Sequence, residues 1–379
     1  MSGVRAAVIG TGMIAGVHVR AARAAGAAVI GVLGRNRSRS EDAAHQFGVT
    51  RAYADLDEVL ADRPDVVHIC TPNDQHHAQA LAVIRHGINV ICEKPLAVNA
   101  EQAAELAEAA RDAGVVATVP FVYRYHPIVR EIRARIDDGL LGRVLGIHGS
   151  YLQDWMHDEN AASWRVDAAT GGPSRAFADI GSHWCDLVEF VTGEHFTSVT
   201  AHTDVVYETR PAAGGPSFSS GATAAPHVPV TTEDTAIATF RTASGRLANT
   251  VVSQVASGRK NRLWFEIDGS LRSAVFDQEQ PESAWFGSPT GGEIIVRDPS
   301  NGSADQRRLG VVPAGHPQGY PDAFAAFVAD TYTAITTGET PVGLPTFDDG
   351  ARSALIVAAV VASARSSSAS TAIPERMPA

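Results

Sequence analysis

Only two of the 31 basic residues in this 379-residue chain are lysine, Lys94 and Lys260; the rest are arginine. A chain that carries arginine wherever either residue serves keeps lysine where a guanidinium cannot act. Lys94 stands in Cys92-Glu93-Lys94-Pro95, directly after a short β-branched run. An ammonium there can hold a substrate hydroxyl or carbonyl oxygen and steady negative charge developing on it. A surface lysine after a strand is the plainer alternative. The second chemistry-bearing stretch is Asp179-Ile180-Gly181-Ser182-His183-Trp184-Cys185-Asp186. On a helix starting near Asp179, Asp179 and His183 are i and i+4, and Asp186 is i+3 from His183. A histidine with carboxylates in reach is oriented and tuned for general acid–base work near neutral pH. A helix cap beside an ordinary histidine would look the same. No second His or Cys stands at ligand spacing, so no metal is expected.

A third motif, Gly10-Thr11-Gly12-Met13-Ile14-Ala15, follows an apolar strand-like run and opens a helical pattern. The first glycine permits a tight turn, and the second lets backbone approach a pyrophosphate at a helix N-terminus. The small Ala15 permits close helix–strand packing. An NAD site usually offers a carboxylate to the ribose about 20 residues on. Here Leu33-Gly34-Arg35-Asn36-Arg37-Ser38-Arg39 has none, and its three arginines suit a 2′-phosphate. NADP is therefore expected somewhat ahead of NAD, unless the arginines merely face solvent. Thr71, Pro72, Asn73 and His76, at the end of the next strand-like run, stand where a nucleotide crevice would be.

These residues need a frame. Over the first 120 residues, β-branched runs at 5–9, 28–33, 66–70, 89–92 and 115–119 alternate with alanine-rich helical stretches. That alternation predicts a doubly wound parallel sheet, an α/β Rossmann domain over 1–121. Beyond it, runs at 144–155, 199–207, 235–241, 246–255, 263–268 and 272–277 alternate polar and apolar residues, with turn residues between the later pairs. They predict an α+β domain over 122–379 with a large open, mostly antiparallel sheet. Helices are expected near 127–138, 181–192, 321–336 and 348–364. The stretches 210–228 and 298–319 read as loops, and the tail after Ser366 as loosely packed.

Composition narrows the class. A formal charge of −11 argues against nucleic acid or anionic membrane as partner. No apolar run reaches membrane-spanning length. Three cysteines, Cys70, Cys92 and Cys185, are too few for a disulfide framework. The expectation is a reduced, cytoplasmic, two-domain protein.

In combination, GTGMIA, TPNDQHH, EKP, FVYRYHP at Phe121–Pro127 and the glycine-rich run into DIGSHWCD resemble the Gfo/Idh/MocA family. This is the glucose–fructose oxidoreductase and inositol dehydrogenase group. The resemblance implies a Rossmann domain followed by an open-sheet domain that forms homodimers or homotetramers. It implies Lys94, Asp179 and His183 as the catalytic set. It also implies dinucleotide contacts from Gly10, Gly12, Met13, Ile14, Thr71 and Asn73, with Glu93 and Pro95 shaping the nicotinamide pocket. Ser150–Trp155 with Ser163-Trp164-Arg165 is similar to the sugar dehydrogenase branch that includes levoglucosan dehydrogenase. Trp155 and Trp164 offer flat faces to sugar C–H groups, while Gln153, Asp154 and Arg165 offer hydrogen bonds. Tyr123 and Arg124 of the FVYRYHP stretch join this substrate set. Gly34 departs from the acidic residue of NAD-dependent members, and Pro173 from the usual glycine-rich turn.

The expectation is an NAD(P)-dependent oxidoreductase acting on a ring hydroxyl of a sugar, anhydrosugar or cyclitol. Three alternatives stay open: an NADPH-dependent keto-sugar reductase, a redox-neutral enzyme holding its nucleotide tightly, and a non-catalytic dinucleotide sensor.

Overall fold

The computed structural model describes residues 3–212 and 226–377, arranged as two compact units. The first comprises 3–122 and 320–351. Its elements are β1 (Arg5–Ile9), α1 (Met13–Ala24), β2 (Ala28–Leu33), α2 (Arg37–Phe47), β3 (Arg51–Tyr53), α3 (Leu56–Ala61), β4 (Val66–Ile69), α4 (Asn73–Arg85), β5 (Asn89–Cys92), α5 (Ala100–Ala113) and β6 (Ala117–Thr118). The strands form one parallel sheet in the order β3-β2-β1-β4-β5-β6. Every residue of β4 and all but the first of β1 are buried, as the continuous apolar runs require. Strand order reverses between β1 and β4, which places the ends of these strands at a ligand-binding switch point. Side chains of Asn36, Asp55 and Asn99 cap α2, α3 and α5.

The second unit carries a nine-stranded sheet. Its order is Gly291–Val296, Ser283–Ser288, Ser273–Asp277, Arg262–Gly269, Val144–Leu152, Leu247–Ser253, Thr235–Thr242, Phe196–Asp204 and Thr371–Ala372. All pairings are antiparallel except Val144–Leu152 with Leu247–Ser253. The helix Ser182–Thr192 packs on this sheet through Trp184, whose Nε1 donates to the Trp264 carbonyl at 3.0 Å. Gly149 leaves the room: a Cβ there would lie 2.4 Å from that nitrogen. Phe196 and Phe240 stack beneath, with centroids 4.3 Å apart.

Several expectations need correction. Tyr320–Ala351 groups with the first unit rather than with the sheet domain. The reason is tertiary, since the helix Tyr320–Thr337 buries Ala323, Phe324, Phe327 and Val328. β3 and the strands Ser283–Ser288 and Gly291–Val296 were not legible as strands. The first is three residues long, and the last is exposed along nearly its whole length. A short helix, Ala304–Leu309, interrupts the expected loop at 298–319. The tail is tied down: Thr371 and Ala372 pair with Val199 and Ser198, and Ile373 is buried. Of the expected loop at 210–228, residues 213–225 lie outside the described residues, while Thr209–Pro211 and His227–Pro229 pair antiparallel.

Candidate active site

In the first unit, Gly10 ends β1 with φ +114°, and a Cβ there would sit 2.5 Å from the Cys70 carbonyl oxygen. Glycine is obligatory at this position because β4 passes so close. Gly12 differs. Its backbone is extended, it caps α1 without a side-chain bond, and a Cβ would meet nothing within 4 Å. No protein packing demands glycine there, so the open space at a helix N-terminus fits a dinucleotide's pyrophosphate. Beside it Met13 is exposed, whereas Ile14 packs into the apolar cluster around Val8 and Val32.

At the end of β2 the expected residues divide. Gly34 donates its N–H to Ser40 Oγ at 2.8 Å, and a Cβ at 34 would come within 2.9 Å of Arg39 Cβ. An acidic residue therefore does not fit without backbone movement. Asn36 is spent as the cap of α2. Arg37 pairs with Glu41 at 3.0 Å and lies 3.9 Å from Glu58. Of the arginines expected to meet a 2′-phosphate, Arg35 and Arg39 are exposed and make no ion pair among the described residues.

The ends of β4 and β5 are stapled together. His76 is fully buried, with its ring nitrogens 2.8 Å from the Pro95 carbonyl and 2.9 Å from that of Thr71. It fixes the loop of Thr71, Pro72 and the buried Asn73 against the Lys94–Pro95 loop, instead of offering its ring to a ligand. Glu93 is buried, and its Oε2 accepts the Lys94 N–H at 3.1 Å. Burial pushes the Glu93 carboxyl up, but His18 and Lys94 hold it below the ordinary carboxylate range. Cys70 and Cys92 are buried free thiols, pushed well up by burial, so neither serves as a nucleophile at neutral pH.

In the second unit a π-turn, Phe177–Gly181, leads into the helix Ser182–Thr192. The expected single helix through Asp179 is thus a wider turn, a feature often found at functional sites. Glu233 Oε1 anchors its start, accepting from Ser174 Oγ at 2.7 Å, Arg175 N at 3.1 Å and Phe177 N at 2.8 Å. The buried Arg175 and Arg210 both pair with Asp234 behind it. Asp179 accepts from Gln254 Nε2 at 2.9 Å and lies 3.6 Å from Arg165 Nε. The buried His183 ring meets Tyr123 edge-on, with centroids 5.0 Å apart, and lies 6.3 Å from Tyr151.

A hydrogen-bonded ring surrounds these groups. Tyr151 donates to Asn261 Oδ1 at 2.6 Å, Asn261 Nδ2 donates to Tyr123 Oη at 3.1 Å, and the two phenol oxygens are 2.6 Å apart. Gln153 joins through Asn261 at 2.9 Å and receives the Trp155 N–H at 2.8 Å. Burial, with the Asp179 charge adding, pushes the Tyr123 phenol up, so it stays protonated. Arg165 lies over Trp164 at 4.5 Å and near Trp155 at 6.0 Å. Both tryptophans are only half-buried, which leaves ring surface for a ligand. Gly171 lets the backbone pass close to Arg165, where a Cβ would lie 2.9 Å from its carbonyl.

Three expected residues are committed elsewhere. Arg124 and Asp186 are both buried and form a two-pronged ion pair. Asp154 binds Lys260 Nζ at 2.7 Å and the Gly258 amide at 3.0 Å. Gln254 and Asn261 were missed, as polar residues at strand ends with no distinguishing spacing. His148, Glu266 and Asp268, cross-strand neighbours on the sheet, also converge, with ion-pair distances of 3.8 and 3.7 Å. Nothing in their sequence spacing announced it.

Residues 4–121 match the oxidoreductase family model with NAD-binding Rossmann fold, and 129–275 match the GFO/IDH/MocA C-terminal domain. The chain belongs to the GFO/IDH/MocA oxidoreductase family. It is 33% identical to levoglucosan dehydrogenase of Pseudarthrobacter phenanthrenivorans over 87% of this chain and 85% of that protein. It is 28% identical to an NADP(+)-dependent D-xylose 1-dehydrogenase of Haloferax volcanii, over 65% of this chain and 75% of that one. A solved levoglucosan dehydrogenase in complex with NADH and L-sorbose superposes with a TM-score of 0.90 at 28% identity. The match covers 98% of this chain and 99% of that one. Among the described residues no helix is long and apolar enough to cross a membrane.

Proposed function

We propose that the protein oxidises a ring hydroxyl of a sugar, anhydrosugar or cyclitol with a nicotinamide dinucleotide. The observation that carries this reading is Asp179 held by Gln254 and Arg165 one turn from a buried His183, beside half-buried tryptophans. That is an acid–base pair in a setting suited to a carbohydrate ring. Gly10, Gly12, Thr71, Asn73 and Arg35 hold the dinucleotide, which supplies hydride acceptance when bound. Lys94 holds the reacting oxygen and stabilises its negative charge, and His183 takes the hydroxyl proton. Asp179 orients His183. Trp155, Trp164, Gln153 and Arg165 align the ring, and alignment is the larger part of the rate gain.

Arg35, together with the absence of room for an acid at Gly34, favours NADP over NAD. It also gives weight to a second reading, reduction of a keto-sugar by NADPH. Screening sugars, anhydrosugars and cyclitols with both cofactors, followed by nicotinamide absorbance, tests the proposal. Turnover of none in either direction would refute it.

The same reading includes a homo-oligomer formed through the open sheet. Ile237 and Val251 are exposed and face each other across neighbouring strands, with exposed Leu247 on the same face of the sheet. An apolar patch of this kind suits a second copy of the chain. Ile237→Lys should reduce the molar mass measured by light scattering.

A further inference from the structure

Glu93 and three polar side chains behind it take no direct part in the chemistry proposed above. Glu93 Oε1 is 3.0 Å from His18 Nε2, His18 Nδ1 is 2.9 Å from His68 Nδ1, and His68 Nε2 is 2.8 Å from Tyr332 Oη. His18 and His68 are fully buried, Tyr332 and Glu93 nearly so. The four come from α1, β4, the end of β5 and the helix Tyr320–Thr337, all within the first unit.

The protons in this chain can be counted. Two ring nitrogens 2.9 Å apart share a single proton, so one histidine donates there and the other accepts. If His68 donates, His18 keeps its other proton on Nε2 for the Glu93 carboxylate, and His68 Nε2 accepts the Tyr332 hydroxyl. Every donor then has an acceptor, and neither buried ring carries charge. If His18 donates instead, it must be a cation held against the Glu93 carboxylate, His68 Nε2 must donate to Tyr332 Oη, and the Tyr332 hydroxyl loses its acceptor. Unmet donors and unneeded charge are costly in a dry interior.

We infer that Tyr332, His68 and His18 form a one-way hydrogen-bond relay whose donors all point toward Glu93, making them positioning residues for Lys94. Glu93 Oε1 receives the relay, while Oε2 receives the Lys94 backbone N–H. The carboxylate cannot turn without breaking one of them. His18 lies on the helix that opens at Gly12, so the relay also fixes the Lys94 loop relative to the dinucleotide-binding helix. Burial holds the His68 imidazole well below its usual range and the Tyr332 phenol well above, in keeping with uncharged links. The role assigned to Lys94 rests on the proposed dehydrogenase reading; the proton arrangement does not.

The test uses the full chain with nitrogen-15-labelled histidine, alongside Tyr332→Phe. The relay predicts that His18 carries its proton on Nε2 and His68 on Nδ1 at neutral pH. In Tyr332→Phe the Lys94 amide should exchange with solvent faster. kcat should fall about tenfold while nucleotide affinity and substrate KM stay within about twofold. Val59→Ala, a buried truncation on α3, outside the four elements that supply these groups, controls for lost stability. It should lower the melting temperature and leave kcat unchanged. A doubly protonated His18, or His68 protonated on Nε2, would overturn the relay, as would equal kcat losses in both variants. If the wild-type protein turns over no sugar, the dehydrogenase reading fails, and the nitrogen signatures and amide exchange still decide the relay.

Discussion

Gln254 Nε2 donates to Asp179 Oδ2 at 2.9 Å, from a strand end to the π-turn that precedes His183. The glutamine is fully buried, so its amide is there to hold a carboxylate rather than to meet water. Together with Arg165 it sets where Asp179 points, on the turn that leads into His183. Gln254→Leu keeps the volume and removes the bond. It should lower kcat about tenfold with little change in nucleotide affinity. Steady-state kinetics and nucleotide titration check this; an unchanged kcat would remove Gln254 from the site.

The two glycines of the dinucleotide motif should fail in different ways. Gly10→Ala meets the Cys70 carbonyl and an unfavourable φ, so it should cost the fold roughly 1–3 kcal/mol. Gly12→Ala meets no protein atom within 4 Å. It should melt like the wild type yet bind dinucleotide much more weakly. Melting curves with and without nucleotide separate the two effects.

Arg35→Ala should weaken NADPH binding about tenfold more than NADH binding, the scale of a lost charge-assisted hydrogen bond. Arg37→Ala should discriminate little, because Arg37 is already paired with Glu41. Equal losses for both cofactors in Arg35→Ala would count against the 2′-phosphate role.

Stability should depend on pH through Glu189, which accepts from Arg352 and the Phe196 amide and lies beside His195. Burial raises its carboxyl, but His195 and Arg352 hold it below the ordinary range, and Glu189 raises the His195 imidazole. A depressed carboxyl stabilises the fold above its unfolded value, about 4.3, and that contribution is lost as pH falls through the folded value. A raised imidazole acts oppositely: its contribution is complete below about 6.5 and is lost as pH rises through the folded value. Glu189→Gln should therefore flatten the melting temperature profile on its acid side strongly. The effect on the alkaline side should be weak, since His195 is mostly exposed. Parallel profiles for the two proteins would contradict this.

Much of the frame was legible because its periodicities are strong. The buried runs of β1, β2, β4 and β5 and the alternating strands around Thr235–Ser253 announce themselves in residue type. The unreadable parts depend on tertiary partners. Nothing local says that Tyr332 belongs with His68, which is 264 residues away, or that Asp186 pairs with Arg124, 62 residues away. Polar motif residues also divide in a way spacing does not show. His76 and Asn36 spend their side chains on the backbone, whereas Arg35 and Gly12 leave room for a ligand.

The central claim is that Lys94 acts on the reacting oxygen and not in holding the dinucleotide. Lys94→Met keeps the length of the side chain and removes its charge. Turnover of the best sugar substrate and NADPH or NADH affinity, measured on the same preparation, test the claim most directly. The account predicts that turnover is abolished while dinucleotide affinity stays within about twofold. Surviving turnover, or an affinity that collapses along with it, would contradict the role assigned to Lys94.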